Sequence, residues 1–232
     1  MSEPAAILPP ESLVGQAMRV VREHISANKL KVGDVLPGEQ YFAVALGVSR
    51  AVMREAFGAL AALRLIDVGN GRRPRVAAID GSVLATSLEH AVSTEQISVR
   101  QIWDVRRTLE LRTVELAALN RAPSQAERIV RHAQAMASAN GDLAVITRQD
   151  IGFHQTIAEA SGNVLFQQIV RSFEVLMHVA VPTAWKTRVT DEQKQLMLDH
   201  HLMVANAIAA GDAAAAQAAM NAHFDLSVQR VI

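Results

Sequence analysis

A glycine and a serine that separate two helical patterns constrain this chain more than any other feature. Gly47 interrupts an apolar helical run that carries Phe42 and Leu46. Two residues later, Ser49 offers a hydroxyl N-cap for a new helix that begins at Arg50. The sequence therefore predicts two helices that meet across a very short turn.

The second of these predicted helices has an apolar face and a basic end. Its apolar residues recur at helical spacing, and we expect them to pack inward: Val52, Ala56, Leu60 and Leu63. Ser49, Arg50 and Arg54 lie near its N-terminal end, with the two arginines about one turn apart. Such a helix fits the major groove of duplex DNA, because Arg can pair with guanine edges or with phosphates.

After Leu65 the apolar spacing changes from helical to strand-like. The turn Gly69-Asn70-Gly71 separates two short strands, and three arginines follow it within four positions: Arg72, Arg73 and Arg75. We expect a basic hairpin tip that lies along a phosphate backbone or enters a minor groove. Arginines on a helical hairpin often form only a solvated surface, so the order of turn, cap, paired arginines and hairpin is what favours DNA binding.

The segment from about Ser12 to Val76 resembles the winged helix-turn-helix domain of the GntR family of bacterial transcription regulators. This resemblance implies that Arg50, Arg54 and the wing around Gly71 and Arg72 touch the operator. Gly38 and Gln40 depart from the family pattern, which leaves a weaker helix cap and no assigned contact at Gln40. The matching residues are the LP-x-E opening at 36–39, the LGVSR turn at 46–50 and the Arg-Glu-Ala run at 54–56.

Composition fits a protein with two domains. The 232 residues carry no net charge, yet residues 1–78 hold 10 Lys and Arg against 7 Asp and Glu, whereas residues 79–232 hold 13 against 16. The basic surplus coincides with the predicted DNA reader. Cysteine is absent, which excludes disulfides and thiolate metal sites. No apolar run approaches the roughly 20 residues of a membrane span, and no signal peptide is evident, so we expect a cytoplasmic protein.

The chain divides into three predicted segments. Residues 1–11 form a flexible tail, residues 12–78 a winged helix-turn-helix domain that starts with a helix at 12–28, and residues 79–232 an all-helical bundle. Leu13, Ala17, Val20, Val21 and Ile25 are predicted to face inward on that first helix. Caps and breakers predict bundle helices at about 82–92, 98–121, 123–138, 141–160, 163–182, 190–210 and 212–228. The expected fold class is therefore mainly α.

Four residues of the predicted bundle form a candidate metal site. Asp150 and His154 are four residues apart and project from one helical face, while His201 and His223 lie in apolar runs of two later helices. One carboxylate and three imidazoles suit Zn²⁺, Ni²⁺ or Mn²⁺, and four ligands leave room for a small molecule. Histidines also serve as ordinary core or surface residues, so this spacing alone is a weak signal.

The helical segment from about Ser82 to Val231 resembles the FCD ligand-binding domain of the FadR-type branch of the same family. In metal-containing members, the positions matched by Asp150, His154, His201 and His223 hold the ion, and the effector is typically a small organic acid. Register favours His201 over the adjacent His200. The resemblance allows Arg106 to pair with an effector carboxylate or with a neighbouring helix, and Asn163 to bind the effector or to cap a helix. The motifs are Val105-Arg106, Leu109-Glu110, Phe153-His154, Ser161-Gly162-Asn163, Gly211-Asp212 and His223-Phe224.

These observations predict a homodimeric transcription regulator, a repressor and not an enzyme. Its N-terminal domain would bind a palindromic duplex DNA operator, because a single reading head buries too little surface for specificity. Its helical domain would hold a divalent metal ion and a small carboxylate metabolite that alters operator affinity. Two alternatives are a metal-dependent enzyme acting on a small organic acid and a metal-free regulator of the same fold.

Overall fold

The structure is a computed structural model that describes residues 11–228. It divides into two compact units, which are separated between Val83 and Leu84. Our sequence-based division, after residue 78, lies a few residues earlier and stays a prediction. The tail predicted for residues 1–11 falls outside the described residues, except for Glu11, whose carboxylate lies 3.2 Å from Arg19 Nε.

The first unit is built from three helices and a two-stranded hairpin. These elements are α1 (Leu13–Ala27), α2 (Glu39–Leu46), α3 (Arg50–Ala62), β1 (Ile66–Gly69) and β2 (Arg72–Val76). The helices and β1 surround a core that includes Val21, Leu36, Phe42, Phe57 and Leu60. This arrangement confirms the predicted winged helix-turn-helix architecture.

The predicted turn between α2 and α3 is present and has a clear physical basis. Gly47 has a φ of 66°, in the left-handed region where a residue without Cβ is favoured. Ser49 then caps α3, because its Oγ accepts a hydrogen bond of 3.3 Å from the backbone N–H of Val52. Gly38 precedes α2 without a side-chain cap, as its sequence predicts.

Two of the residues predicted to face the core of this unit are exposed. Leu63 follows the last residue of α3 and exposes 46% of its surface, while Leu13 begins α1 and exposes 56%. Both leave the apolar face because they lie at helix ends. Met53 and Phe57 fill the inward face of α3 instead.

The hairpin carries an irregularity near its turn. β1 and β2 pair antiparallel, with Ile66 opposite Val76, and the register shifts between Asp67 and Gly69. Gly71 has a φ of 69°, which the turn requires. β2 is also tied to the segment before α2, since Leu36 N–H donates to the carbonyl of Pro74 at 2.8 Å.

The second unit is a bundle of helices, which confirms the predicted all-α architecture. α4 spans Ser82–Ser93 and begins at the boundary of the two units; the others are α5 (Val99–Asn120), α6 (Pro123–Ala137), α7 (Leu143–Ala160), α8 (Val164–Ser172), α9 (Glu174–Lys186), α10 (Asp191–Ala210) and α11 (Ala213–Val228). α5 packs against α7 and α11, and α10 packs against α6 and α11. The core between them includes Ile129, Phe153, Val204 and Phe224.

One predicted helix of the bundle is wrong. The segment expected to run from about 163 to Pro182 forms two helices, α8 and α9, which break at Phe173 and bend by 58°. Pro182 does not end α9, which continues to Lys186. A proline removes only one backbone hydrogen bond, and tertiary packing can maintain the helix around it.

Caps fix the ends of the site-bearing helices as the sequence predicts. Thr190 and Gln193 form a reciprocal capping box at the start of α10, and Gly211 ends that helix with a φ of 79°. Within residues 11–228, no single helix is both long enough and apolar enough to span a membrane. Only α8 and α9 taken together have the required length and apolar composition, and this pair is bent by 58°.

Candidate nucleic-acid interface and metal centre

The N-terminal end of α3 presents the residues predicted to contact DNA. Ser49, Arg50 and Arg54 are exposed. The side chain of Arg54 is 73% exposed, and its Nε lies 4.0 Å from a carboxylate oxygen of Glu39. An exposed ion pair at that distance is weak, so the guanidinium of Arg54 remains available to an anionic partner.

The wing presents fewer free arginines than its sequence suggests. Gly71, Arg72 and Arg73 are exposed at the hairpin tip. Arg75, in contrast, donates from Nη1 to the carbonyl oxygen of Gly33 at 2.5 Å, which ties β2 to the preceding loop. The predicted basic tip therefore consists of Arg72 and Arg73, while Arg75 has a structural partner at the base of the hairpin.

Three histidines converge inside the helical bundle. His154 on α7, His201 on α10 and His223 on α11 each expose 4% of their surface or less. One ring nitrogen from each lies within 4.8 Å of the others. This spacing suits three imidazoles that share one metal ion, so the structure brings together the three histidines that the sequence predicted.

Asp150 adjoins this triad through His201. The Nε2 atom of His201 lies 3.1 Å from Asp150 Oδ1, and its Nδ1 lies 2.9 Å from the carbonyl oxygen of Met197. A carbonyl can only accept, so Nδ1 carries the proton and Nε2 of a neutral ring is itself an acceptor. Two acceptors face each other across 3.1 Å, and either a second proton or a metal ion between them resolves that repulsion. The donor set therefore fits a metal ion.

Glu110 on α5 orients a second histidine of the triad. Its side chain is 1% exposed, and its Oε2 accepts a short hydrogen bond from Nδ1 of His154. Its other oxygen, Oε1, accepts from Nε of Arg106 at 2.8 Å. This carboxylate–imidazole pair leaves Nε2 of His154 as a lone-pair donor, which is the arrangement that outer carboxylates impose on metal-binding histidines.

Electrostatics in the cluster favour an ionised Asp150 and a neutral His223, the forms in which these side chains can bind a metal ion. Burial alone raises the pKa of Asp150, but its contact with His201, followed by the positive potential from His154, His201 and Arg106, lowers that pKa to about 2. Burial, followed by repulsion from His201 and His154, holds the pKa of His223 well below its ordinary value, so its ring is neutral. The result is a carboxylate beside a neutral imidazole.

A divalent ion would leave the buried cluster with a small positive charge. Histidines that bind a metal ion are neutral, so the charges that count are two negative ones from Asp150 and Glu110 and one positive one from Arg106. With a divalent ion the cluster would therefore carry about +1. A metal-loaded centre of this kind attracts an anion.

Arg106 and Asn163, the two predicted effector contacts, lie in different surroundings. Arg106 is 2% exposed and packs with its Cζ 4.8 Å from the Trp103 ring. Its ion pair is with Glu110 on its own helix, not with the neighbouring helix that the sequence suggested as an alternative. Asn163 is exposed and caps α8, since its Oδ1 accepts from the N–H of Leu165 at 3.0 Å. Its contact with an effector stays a prediction.

Two contributors to the centre were missing from the site predicted by sequence. Glu110 appeared only as part of a family motif, although its spacing of four residues from Arg106 places both on one face of a helix. Met197 contributes through its backbone carbonyl, which depends on helix geometry and leaves no trace in side-chain patterns.

Comparison with known proteins assigns both halves of the chain. Residues 4–76 match the model for bacterial regulatory proteins of the gntR family, and residues 101–226 match the FCD domain. The chain belongs to the GntR family. Its members and the relatives described next are transcription regulators, which excludes the enzyme alternative.

Curated relatives of this family cover most of the chain. The HTH-type transcriptional regulator LutR of Bacillus subtilis is 30% identical over 86% of this chain and 92% of its own length. The putative L-lactate dehydrogenase operon regulatory protein of Escherichia coli is 30% identical over 94% of this chain and 85% of its own length. The protein is thus a transcription regulator with a GntR-type DNA-binding domain and an FCD domain, which implies a small-molecule effector.

A solved structure supports the fold. The Streptococcus agalactiae GntR protein is 24% identical, covers 94% of this chain and 100% of its own, and superposes with a TM-score of 0.67. At that identity the likeness shows the fold alone. It agrees with the winged and helical architecture described above.

Proposed function

We propose that this GntR-family protein is a homodimeric repressor whose affinity for a palindromic operator is controlled by a small organic acid bound at a divalent metal ion. The observation that carries the proposal is the buried cluster of His154, His201, His223 and Asp150 in the FCD domain. Three buried imidazoles beside a carboxylate form a donor set that one divalent cation can complete. We place this activity in the cytoplasm, where the operator is.

The metal ion would be held by Asp150, His154, His201 and His223. Mixed nitrogen and oxygen ligands suit Zn²⁺, Ni²⁺ or Mn²⁺. When bound, the ion supplies positive charge that attracts a carboxylate. Glu110 fixes the ring of His154, and the Met197 carbonyl fixes that of His201, so both rings are held in place before the ion binds.

The effector would be a small carboxylate that joins the metal ion near Arg106. The guanidinium of Arg106 lies among the site residues and lowers the pKa of Asp150 along with the histidines. Because the Escherichia coli relative is named for an L-lactate dehydrogenase operon, L-lactate is the first acid to test. Asn163 remains a proposed second contact from the cap of α8.

The DNA contacts would come from α3 and the wing. Ser49, Arg50 and Arg54 would enter the major groove, and Gly71 and Arg72 would approach the backbone or the minor groove. All five are exposed. Two such heads on a two-fold axis match a palindromic operator, which is the reason for proposing a homodimer.

An apolar surface of the helical unit could serve dimerisation. α4 has no buried residue in the described structure, and α9 exposes 41% of Val175 and 71% of Val179. Between them and α5 lies a groove of about 460 Å³ that is lined mainly by aliphatic side chains. A regulator that binds both halves of a palindromic operator needs two DNA-binding domains, so we propose that a second copy of this chain covers this surface.

Control of DNA binding would be a population shift. The acid would favour one arrangement of the dimer over another, and only one of them would place both heads on their half-sites. Coupling of this kind typically changes affinity about 5- to 150-fold. The sign proposed here, repression relieved by the acid, requires the acid to weaken DNA binding.

The proposal is tested by selecting operator DNA and then adding the acid. Fragmented genomic DNA is captured on the purified full-length protein, and the affinity of an enriched fragment is compared with that of a shuffled duplex. The zinc-loaded protein should prefer the enriched fragment, and L-lactate or a related short acid should weaken that binding. Equal affinity for both duplexes, or an operator affinity that no short acid changes, would contradict it.

Elemental analysis separates the proposal from a metal-free regulator of the same fold. The purified protein should contain about one equivalent of a divalent transition metal per chain, or should take up one equivalent of Zn²⁺ and become more stable. A protein that contains no metal and whose unfolding midpoint is unaffected by Zn²⁺ would favour the metal-free alternative.

A further inference from the structure

Two buried polar side chains near the metal centre lack a hydrogen-bond partner among the described protein atoms. They are Nε1 of Trp103 and Oγ1 of Thr147, in residues that expose 6% and 5% of their surface. Nearly all buried polar atoms in proteins are paired, because an unpaired one costs free energy. Two unpaired atoms in one region therefore indicate a partner that comes from outside the chain.

Both side chains lie on the helical faces that carry the metal centre. Trp103 precedes Arg106 by three residues and Glu110 by seven on α5, and its ring contacts the Arg106 guanidinium. On α7, Thr147 likewise precedes Asp150 by three residues and His154 by seven. Residues three and seven apart share a helix face, so each unpaired atom belongs to the face of its helix that holds the centre.

The two helices run in the same direction, which brings these faces into register. Glu110 of α5 contacts His154 of α7, and farther along both helices Nδ2 of Asn120 donates to the carbonyl of Ser161 at 2.9 Å. Residue numbers therefore increase together on both helices. Trp103 lies seven residues before Glu110, and Thr147 lies seven residues before His154. The two unpaired polar atoms are therefore at the same level along the two helices.

We propose that Trp103 and Thr147 form a polar subsite that receives the end of the effector remote from the metal ion. This inference rests on the proposed function, because it assumes that the carboxylate end of the effector binds at the metal. The indole N–H can only donate, whereas the threonine hydroxyl can donate and accept. Both groups are neutral, so their ligand is a neutral oxygen that accepts a hydrogen bond, either a hydroxyl or a keto group.

The charge of the centre limits the number of carboxylates on the effector. With a divalent ion, the charges of Asp150, Glu110 and Arg106 sum to about +1 in a buried site. One carboxylate neutralises this charge, whereas a second would leave a buried negative charge without a partner. The effector class is therefore a short monocarboxylate that also carries a hydroxyl or keto oxygen.

The competing explanation is an internal water molecule that hydrogen-bonds to both side chains as a fixed part of the fold. The two explanations predict different effects on protein stability when the Thr147 hydroxyl is removed and no acid is present. Replacing an unpaired buried hydroxyl by a methyl group should not destabilise the protein, whereas replacing one that holds a structural water should.

The test is calorimetric titration of the zinc-loaded full-length protein with matched acids. The probes are L-lactate against propionate and 3-hydroxybutyrate against butyrate, which differ by one hydroxyl, with succinate as the dicarboxylate. We expect at least one hydroxy acid to bind about tenfold more tightly than its plain counterpart, the effect of one buried hydrogen bond. Succinate should bind more weakly than that hydroxy acid.

Two variants test whether Thr147 and Trp103 cause the tighter binding of hydroxy acids. Thr147→Val and Trp103→Phe should each reduce it to near unity, while the zinc content and the affinity for the plain acid stay close to those of the parent. The control is Thr156→Val on α7, nine residues later and so on the opposite face, where the hydroxyl donates to the carbonyl of Gly152 at 2.7 Å. This control should keep the preference. Without acid, Thr147→Val should unfold at the parent temperature or above it.

Each contrary result has a distinct meaning. If the parent binds acids but does not prefer the hydroxy acids, or if both variants keep the preference, the subsite is refuted and the proposed function stands. A lower unfolding temperature of Thr147→Val without acid also refutes it, in favour of a structural water. If the zinc-loaded parent binds none of the acids, the proposed function itself fails.

Discussion

Among single residues, Glu110 is expected to position the ring of His154 in the proposed metal centre. It is buried, accepts from Nδ1 of His154 and forms an ion pair with Arg106. A buried carboxylate with two partners of this kind fixes the ring that presents its other nitrogen to the ion. It would be a positioning residue, since it would act on the proposed metal ion only through His154.

Glu110→Gln should therefore weaken zinc binding by about 10- to 100-fold, the usual effect of losing an outer carboxylate. The amide keeps the size of the side chain but not its charge. Competition titration with a zinc-chelating dye measures the affinity. Glu115→Gln, on the same helix in a partly exposed pair with Arg112, serves as the control and should bind zinc like the parent. Equal affinities for all three proteins would refute this role of Glu110.

Arg54 makes the corresponding prediction for DNA. Its exposed guanidinium at the N-terminal end of α3 should contact a base edge or a phosphate, so Arg54→Ala should weaken operator binding by about 1–3 kcal/mol if it reads a base. Fluorescence anisotropy with the selected operator measures the change. Arg19→Ala removes the same charge from α1, where Arg19 pairs with Glu11 and Glu23, and should have a much smaller effect. Similar losses for both would mean that only overall charge matters.

At the scale of elements, the tight connection of α2 to α3 depends on one left-handed residue. Gly47 has a φ of 66° and no atom within 4 Å of a Cβ built on it, so a substitution there strains only the backbone. Gly47→Ala should lower the free energy of unfolding by about 1–2 kcal/mol. Gly58→Ala, inside α3 and equally uncrowded, should raise it by about 0.5–1 kcal/mol. Urea denaturation measures both, and changes of the same sign would contradict this explanation.

The apolar surface of α4 and α9 makes a prediction about assembly. Val179→Asp places a charge on the most exposed aliphatic residue of α9, which should shift the protein from dimer to monomer in light scattering after gel filtration. Val189→Asp is the matched control, because Val189 is 84% exposed and lies between α9 and α10. It should leave the dimer intact. A dimeric Val179→Asp protein would place the interface elsewhere.

Elements with local causes were predictable from sequence. The turn at Gly47, the cap at Ser49 and the capping box at Thr190 each follow from residues within a few positions, and all are confirmed. The break at Phe173 was missed because no glycine or proline marks it. Pro182 was wrongly predicted to end the helix, because α9 continues through it to Lys186.

The site was predictable only as far as side-chain patterns reach. Helical spacing and family resemblance identified the three histidines and Asp150, which the structure brings together. The hydrogen bond from His201 to the Met197 carbonyl, and the unpaired atoms of Trp103 and Thr147, depend on the packing of helices that are distant in sequence. No single-sequence pattern reports such contacts.

In the whole molecule, the DNA-binding unit and the helical unit are proposed to have separate roles. The arginines of α3 should determine operator affinity, and the histidines of the bundle should determine only whether an acid can change it. Because the two roles lie in separate units, substitutions should separate them. Two variants, Arg54→Ala and His201→Ala, represent the two roles.

The most direct test is an operator titration by fluorescence anisotropy with the parent and His201→Ala, each with zinc, with and without the effector acid. We expect the acid to weaken operator binding by the parent at least about fivefold. His201→Ala, with its fold confirmed by circular dichroism, should bind like the acid-free parent under both conditions. An acid response that survives in His201→Ala, or loss of operator binding by this folded variant without acid, would contradict this separation of roles between the two units.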